Sequence, residues 1–375
     1  MTHAIAGRLW RKGLILSMRK KRKVVCNDCD IIFVVSGWDA IEQRPHHFVK
    51  EAIAEGYRVR VVTWGKSIRK LFQKDPPYLV RSEHFIVGLF TRLFHKFDSK
   101  AKSLEKRIAD MNPIDTLIIY QSPPIIHITD RVFRANKVIY DCMDWWIGFN
   151  STFLYNRTIE EELIRKSCRV TCVTEILINN LKTEYRSSVP MILLPNACTP
   201  SDFRERSPEA TNVIYWGTVD KWFDWEKVIS IATSDPNVIV KILGVYKFLP
   251  RELPSNVRLL GAISYNQLSG YAEDCKIGII PFSNRDQDFI NSISPIKLYE
   301  YLACNLIVIS SSLPEALIYA QDGIVHIADT KEEFLRQYKK ASMTYDSPKL
   351  RARRKAIISA NSWSSRFHQM INLKS

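Results

Sequence analysis

The sequence has no long apolar run, no cysteine framework and no acid at its N-terminal end. Each absence removes a class of protein. No stretch approaches the roughly 18 consecutive apolar residues that a spanning helix needs, which argues against an integral membrane protein. The eight cysteines are scattered through apolar or strand-like surroundings, so reduced thiols in a cytosolic protein are expected rather than a disulfide scaffold. Cys26 and Cys29 have metal-like spacing, but no second Cys or His pair with matching spacing follows. Segment 13–18 is too short, and too closely flanked by charge, for a signal peptide. What is there has the balance of an ordinary globular protein. The chain has 375 residues, 46% hydrophobic and 25% charged, which is enough for two or three domains.

The charge is unevenly placed. Residues 1–24 hold eight Lys/Arg and no acid, and residues 339–375 hold nine with only Asp346 against them. Of the net +15, each end therefore carries +8 and the remainder −1. Basic ends on a neutral body suit an anionic membrane surface, at about 1 kcal/mol per well-placed cation. They also suit a solvated tail. A nucleic-acid binder more often carries its excess on a folded face with interleaved aromatics, so no nucleic-acid partner is expected. Segment 85–97 is apolar and aromatic, edged by Arg92 and Lys96. It reads either as a helix lying in a bilayer interface or as a core-packing helix.

Short apolar runs alternate with helical patterns almost throughout. In the first half they fall at 30–36, 58–63, 116–120, 138–141, 169–174 and 191–194. Pro45 suits the first turn of a helix that Gly56 ends. A stretch rich in Pro, Ser and charge, 195–208, reads as a linker. The pattern then restarts, with strands near 212–216, 238–243, 257–260, 276–281, 306–310 and 324–327. Helices are expected between them at 225–233, 266–274, 295–303 and 331–341. Unbroken apolar strands imply burial on both faces, and strand–helix–strand order implies a parallel sheet. The expected fold is α/β, with two Rossmann-like, doubly wound parallel-sheet domains facing across a cleft. The expected boundaries are a basic extension at 1–24, a first domain at 25–200 and a second at 205–350. Residues 351–375 are expected to carry an amphipathic helix, near 362–373, that crosses back to the first domain.

The most informative segment runs from Ser292 to Ala303. Pro295 marks a helix start, and Ser294 or Ser292 can cap it. The free N–H groups and dipole of that end attract an anion. Lys297 and Glu300 are three apart and share a face. A phosphate at the helix start and a sugar diol on Glu300 together describe a nucleotide. An ordinary surface salt bridge is the plainer reading.

Ser294-Pro295-x-Lys297-x-x-Glu300-Tyr301-Leu302-Ala303 resembles the nucleotide-sugar motif of GT-B glycosyltransferases of bacterial surface polysaccharide synthesis. Further segments are similar to that group in order and spacing. They are Gly37-Trp38-Asp39 through Arg44-Pro45-His46, Tyr140-Asp141-Cys142-Met143-Asp144, Leu194-Pro195-Asn196-Ala197, Tyr215-Trp216-Gly217-Thr218, Leu260-Gly261 with Tyr265 and Leu268, and Ile279-Ile280-Pro281-Phe282. The likeness covers residues 30–365. One feature departs from it. Many retaining members carry Glu-x7-Glu, and the position eight before Glu300 is Ser292, so retention of configuration is not implied.

The resemblance implies a sugar donor, most simply a UDP-sugar, bound by the second domain, and an acceptor bound by the first. Lys297 would serve the pyrophosphate, with Ser294 at the helix start, and Glu300 the ribose. Gly217 and Thr218 would meet the phosphates or the sugar, and Gly261, Tyr265 and Pro281 would border the base. For the catalytic base, Asp144 is preferred, then Asp141 and Asp39, because strand ends present the chemistry of α/β sheets. Asp141 also suits a structural capping role. Arg44 and His46 would hold the acceptor. Asp286-Gln287-Asp288 is too short a match to imply a metal, and no cofactor is expected. The basic ends point to a glycan or polyprenyl-diphosphate-linked glycan acceptor at the cytoplasmic face of the membrane. A sugar-nucleotide 2-epimerase, a nucleic-acid-binding protein and an inactive nucleotide-sugar sensor remain alternatives.

Overall fold

An unbroken apolar run is covered only when both faces of its strand are buried. In β1 (Cys29–Val34), Ile31 and Phe33 enter one core layer with Phe48, Val49, Trp363 and Phe367. Ile32 and Val34 enter the opposite layer with Leu163, Ile164, Leu177 and Leu181. The computed structural model describes residues 29–35, 38, 42–64, 76–82, 114–120, 135–145, 157–283, 290–320 and 323–372. Segments 1–24 and 85–97, Cys26, Asp39 and the Asp286–Asp288 triplet lie outside the described residues.

The first sheet contains β1, β2 (Val59–Trp64), β3 (Leu79–Ser82), β4 (Ile114–Tyr120), β5 (Lys137–Cys142), β6 (Arg169–Cys172) and β7 (Met191–Leu193). Its order is β3-β2-β1-β4-β5-β6-β7, and every pairing is parallel. Strand β3 was not expected from sequence. It is a four-residue edge strand with Arg81 and Ser82 in it, too short and polar to stand out. The second sheet contains β8 (Asn212–Trp216), β9 (Val240–Leu243), β10 (Val257–Gly261), β11 (Cys275–Ile280), β12 (Ile307–Ser310) and β13 (Val325–Ile327). Its order, β10-β9-β8-β11-β12-β13, is again all parallel. In each sheet the order reverses beside the first strand, and such a switch point opens a crevice at the carboxyl ends.

The chain crosses between the domains twice, side by side. The Cys198 N–H donates to Asn361 O at 3.3 Å, and the Trp363 N–H donates back to Cys198 O at 3.2 Å. The helix Trp363–Asn372 then packs on Arg44–Ala54, with the Trp363 and Phe48 rings 5.4 Å apart. The helix before it, Pro348–Ala360, lies across the boundary expected at residue 350. It stays with the second domain, since Ile357 and Ile358 join that core and the Arg354 Nε–H donates to Asn305 Oδ1 at 2.6 Å. The linker expected at 195–208 is also less free than its composition implies, because Ala197 and Cys198 are fully buried.

Candidate active site

Three strand-end glycines form the floor of the second domain's crevice. Gly217 follows β8 with φ 133, Gly244 follows β9 with φ 136, and Gly261 ends β10 with φ 74. These are backbone conformations that L side chains rarely adopt. The Gly217 N–H donates to Leu243 O at 3.0 Å, and the Gly244 N–H donates to Gly261 O at 2.7 Å. A Cβ on Gly244 would lie 1.8 Å from the Gly217 carbonyl oxygen. A Cβ on Gly217 would lie 3.1 Å from Lys297 Cε and 3.3 Å from its Nζ. The Lys297 ammonium therefore sits directly over bare backbone.

Lys297 belongs to the helix Ile296–Ala303, whose N-cap, Pro295, supplies no side-chain hydrogen bond. The cap expected from Ser294 is not made. That hydroxyl donates instead to Glu315. Lys297 Nζ lies 5.3 Å from the Tyr215 ring centre and 5.0 Å from that of Phe282. No carboxylate among the described residues pairs with it. Burial lowers its pKa to about 8, against the pull of Glu300. Phe282 is held from beneath by fully buried Lys227, whose ammonium donates to the Phe282 carbonyl at 2.7 Å and to Ser311 Oγ at 2.9 Å.

Glu300 faces inward, one turn along from Lys297, and is buried. Its Oε2 accepts from Trp216 Nε1–H at 2.6 Å. Burial pushes its pKa up to about 7, partly offset by that bond and by Lys297. Trp216 is pinned in turn, because its N–H donates to the Tyr301 hydroxyl at 3.1 Å. The Tyr301 ring fits only because position 278 is glycine, where a Cβ would lie 2.7 Å from the ring. Thr218 is half-buried, and its carbonyl accepts from the Tyr215 hydroxyl at 2.9 Å. The Pro281 carbonyl accepts from the Asp224 N–H at 2.8 Å. Tyr265 leans on the first domain, its ring 5.0 Å from that of His47 and 5.4 Å from Lys50 Nζ.

On the first domain, two expected acceptor groups turn out to be committed elsewhere. Arg44 and Asp141 form a fully buried pair, with Nε to Oδ2 at 2.8 Å and Nη2 to Oδ1 at 3.0 Å. Asp141 Oδ1 also accepts from Thr171 at 2.6 Å, and Arg44 Nη1 donates to Pro195 O at 3.1 Å and Asn196 Oδ1 at 3.2 Å. With its carboxylate saturated, Asp141 is not placed as a base, and Arg44 has no face left for an acceptor. His46 is also occupied. Its Nδ1 accepts from the Gln43 N–H at 3.2 Å, which leaves Nε2–H to donate to Trp38 O at 2.8 Å. Burial lowers its pKa, and the ring stacks on Trp38.

Asp144 differs. It lies past the carboxyl end of β5, half-buried, and its carboxylate has no partner among the described residues. Burial alone raises its pKa to about 6. Its neighbour Met143 and Lys297's neighbour Ile296 pack on the same core layer, so the two domains bring these segments together. Thr174 adds a direct contact, donating to the Ser292 carbonyl at 3.3 Å. Sequence reasoning missed Gly244, Glu315 and Lys227 as parts of the site. Gly244 was open to discovery, since it follows an apolar strand as Gly217 does.

Two doubly wound parallel domains meeting at their carboxyl ends form the GT-B fold. No family model matches the chain. In sequence it is 22% identical over 275 residues to the putative teichuronic acid biosynthesis glycosyltransferase TuaH of Bacillus subtilis (strain 168), spanning 66% of this chain and 67% of that protein. In structure it is similar to sucrose-phosphate synthase from Thermosynechococcus elongatus, with a TM-score of 0.70 and 12% identity over 92% of this chain and 98% of that one. Anabaena Alr3699/HepE, solved with UDP and glucose, superimposes with a TM-score of 0.68 and 12% identity, covering 92% and 98%. The solved structures share this chain's fold of two doubly wound parallel domains, and the sequence relative carries the name of a glycosyltransferase.

Proposed function

We propose that the protein moves a sugar from a UDP-sugar to a hydroxyl of a lipid-linked or growing surface glycan at the cytoplasmic face of the membrane. The observation that carries the donor half is the grouping of Lys297, bare Gly217 and buried Glu300 around one helix turn. A diphosphate leaving group gathers negative charge as it departs. Lys297 and the helix start, free of any side-chain cap, are the positive groups nearest to hand. The reading therefore includes no metal ion. Gly217 admits phosphate oxygens close to the backbone, with Thr218 beside it. Glu300 would exchange its Trp216 bond for bonds from the two ribose hydroxyls. Gly261, Pro281 and Tyr265 would border the base. Uridine is favoured because HepE was solved with UDP and with UDP-glucose, and a surface glycan because TuaH is named for one.

In the transfer, the acceptor oxygen bonds to the anomeric carbon as the bond from that carbon to the diphosphate oxygen breaks. The acceptor proton goes to Asp144, which is ionised near neutrality yet more basic than an ordinary carboxylate. Approach of the two domains keeps water from the donor. The basic segment 1–24 and the exposed cations of 339–375, among which buried Arg354 and Arg366 do not count, would hold the enzyme at anionic lipid, where a polyprenyl-diphosphate-linked acceptor lies.

A thermal-shift panel of UDP-, GDP-, dTDP- and CMP-sugars tests the donor half. A UDP-sugar should raise the melting temperature of the native protein and leave Glu300→Ala unmoved. Equal shifts in both, or none in either, would overturn it. Epimer formed from donor alone would make the protein a 2-epimerase instead.

A further inference from the structure

We infer that Glu315 is a positioning residue: its ionised carboxylate ties the helix Ile296–Ala303 to the hinge between the domains, and protonation loosens donor binding. The inference rests on the donor reading above. Glu315 lies in the helix Pro314–Ala320, beyond β12, and is buried. It accepts from two hydroxyls, Ser294 Oγ just ahead of the donor helix and Tyr299 within it. Lys297 lies between them, so one carboxylate pins both ends of the turn that carries the phosphate-facing cation.

The tie continues into the first domain. The Asn196 N–H donates to Ser294 Oγ at 3.2 Å, and Asn196 Nδ2 donates to the Ser294 carbonyl at 2.7 Å. Asn196 Oδ1 accepts from Arg44 Nη1 at 3.2 Å, and Arg44 holds Asp141. A continuous run of hydrogen bonds thus leads from the core of the first domain, through the hinge, to Glu315 and the donor helix.

The direction of those bonds makes the charge matter. A Ser294 lone pair serves Asn196, so its hydrogen goes to Glu315. The Tyr299 hydrogen goes to the other carboxylate oxygen. An ionised carboxylate accepts both, whereas an acid or an amide presents a donor on one side and leaves one hydroxyl hydrogen without its acceptor. The groups facing Glu315 are Ser294 and Tyr299 on the donor segment, Tyr319 on its own helix, Arg366 on the last helix and Arg44 on Arg44–Ala54. Burial raises its pKa to about 7, while the two hydroxyls and two guanidiniums oppose the rise. Its charge therefore changes within the neutral range.

Calorimetric titration of UDP into the native protein and Glu315→Gln, at about pH 6 and about pH 8, tests this. The glutamine amide copies the protonated acid. At the higher pH the variant should bind UDP about five-fold more weakly, the worth of one hydrogen bond, and at the lower pH within about two-fold of the native protein. Glu300 and Lys297 titrate alike in both proteins, so their effect cancels in the ratio. Equal affinities at the higher pH, or one ratio at both, would overturn the inference alone. A native protein that binds no UDP at either pH would overturn the donor reading as well. Should Glu315→Gln not fold, Tyr299→Phe serves in its place. Its UDP affinity at the higher pH should fall toward the native value at the lower one, and an unchanged affinity would overturn the inference.

Discussion

Glu300 and Lys297 stand three residues apart with displaced acidities, about 7 for the acid and about 8 for the amine. Each senses the other, yet neither is satisfied by an ion pair. Glu300 takes an indole hydrogen, and Lys297 lies against two rings. Groups held this way are poised for a ligand's charges. Glu300→Ala should weaken UDP binding on the order of 100-fold, since two hydrogen bonds to a charged group are lost. Lys297→Met should weaken UDP binding far more than uridine binding, and a competition titration with both ligands checks this. Asp144→Asn should lower kcat by about 10²–10⁴ with little change in donor KM. The same carboxylate gives the sign of the acid limb. As the proposed base it would work only when ionised, so native activity should be present above about pH 6 and lost as pH falls through it. A pH–rate profile of the native protein shows whether that limb exists.

At the scale of elements, what was legible was what a single segment encodes. Most strands of the two series appeared because each is a mainly apolar run, even where Arg60, Lys241, Arg258 or Lys276 interrupts it, and the helix Ile296–Ala303 because Pro295, Lys297 and Glu300 follow one another closely. Pairings between distant segments were hidden. Arg44 and Asp141 are 97 residues apart, and the sequence presents them as two free polar groups near strand ends. In the fold they close on each other and hold the helix Arg44–Ala54, β5 and the Pro195–Asn196 step together. Asp141→Asn should therefore act on stability, costing about 3–5 kcal/mol in denaturant unfolding by leaving a buried guanidinium without its counterion. The strand-end turns make a second prediction. Gly244→Ala would drive a Cβ into the Gly217 carbonyl. It should cost about 1–3 kcal/mol in the same assay and spoil UDP binding, because Gly217 must shift.

At the scale of the molecule, two domains are joined by paired crossings and braced by the last helix. Residues 25–338 together carry −1, and the excess is concentrated in residues 1–24 and 339–375. If those ends meet anionic lipid, the protein should co-sediment with anionic liposomes, weakly at high salt and less after removal of residues 1–24. Binding indifferent to salt would remove the electrostatic part of the account without touching the donor site. That site is tested most directly by a crystal structure of the UDP complex. The account places the ribose hydroxyls within hydrogen-bond distance of Glu300 and the diphosphate against Lys297 and Gly217. UDP bound elsewhere, with Glu300 still held by Trp216 alone, would contradict it.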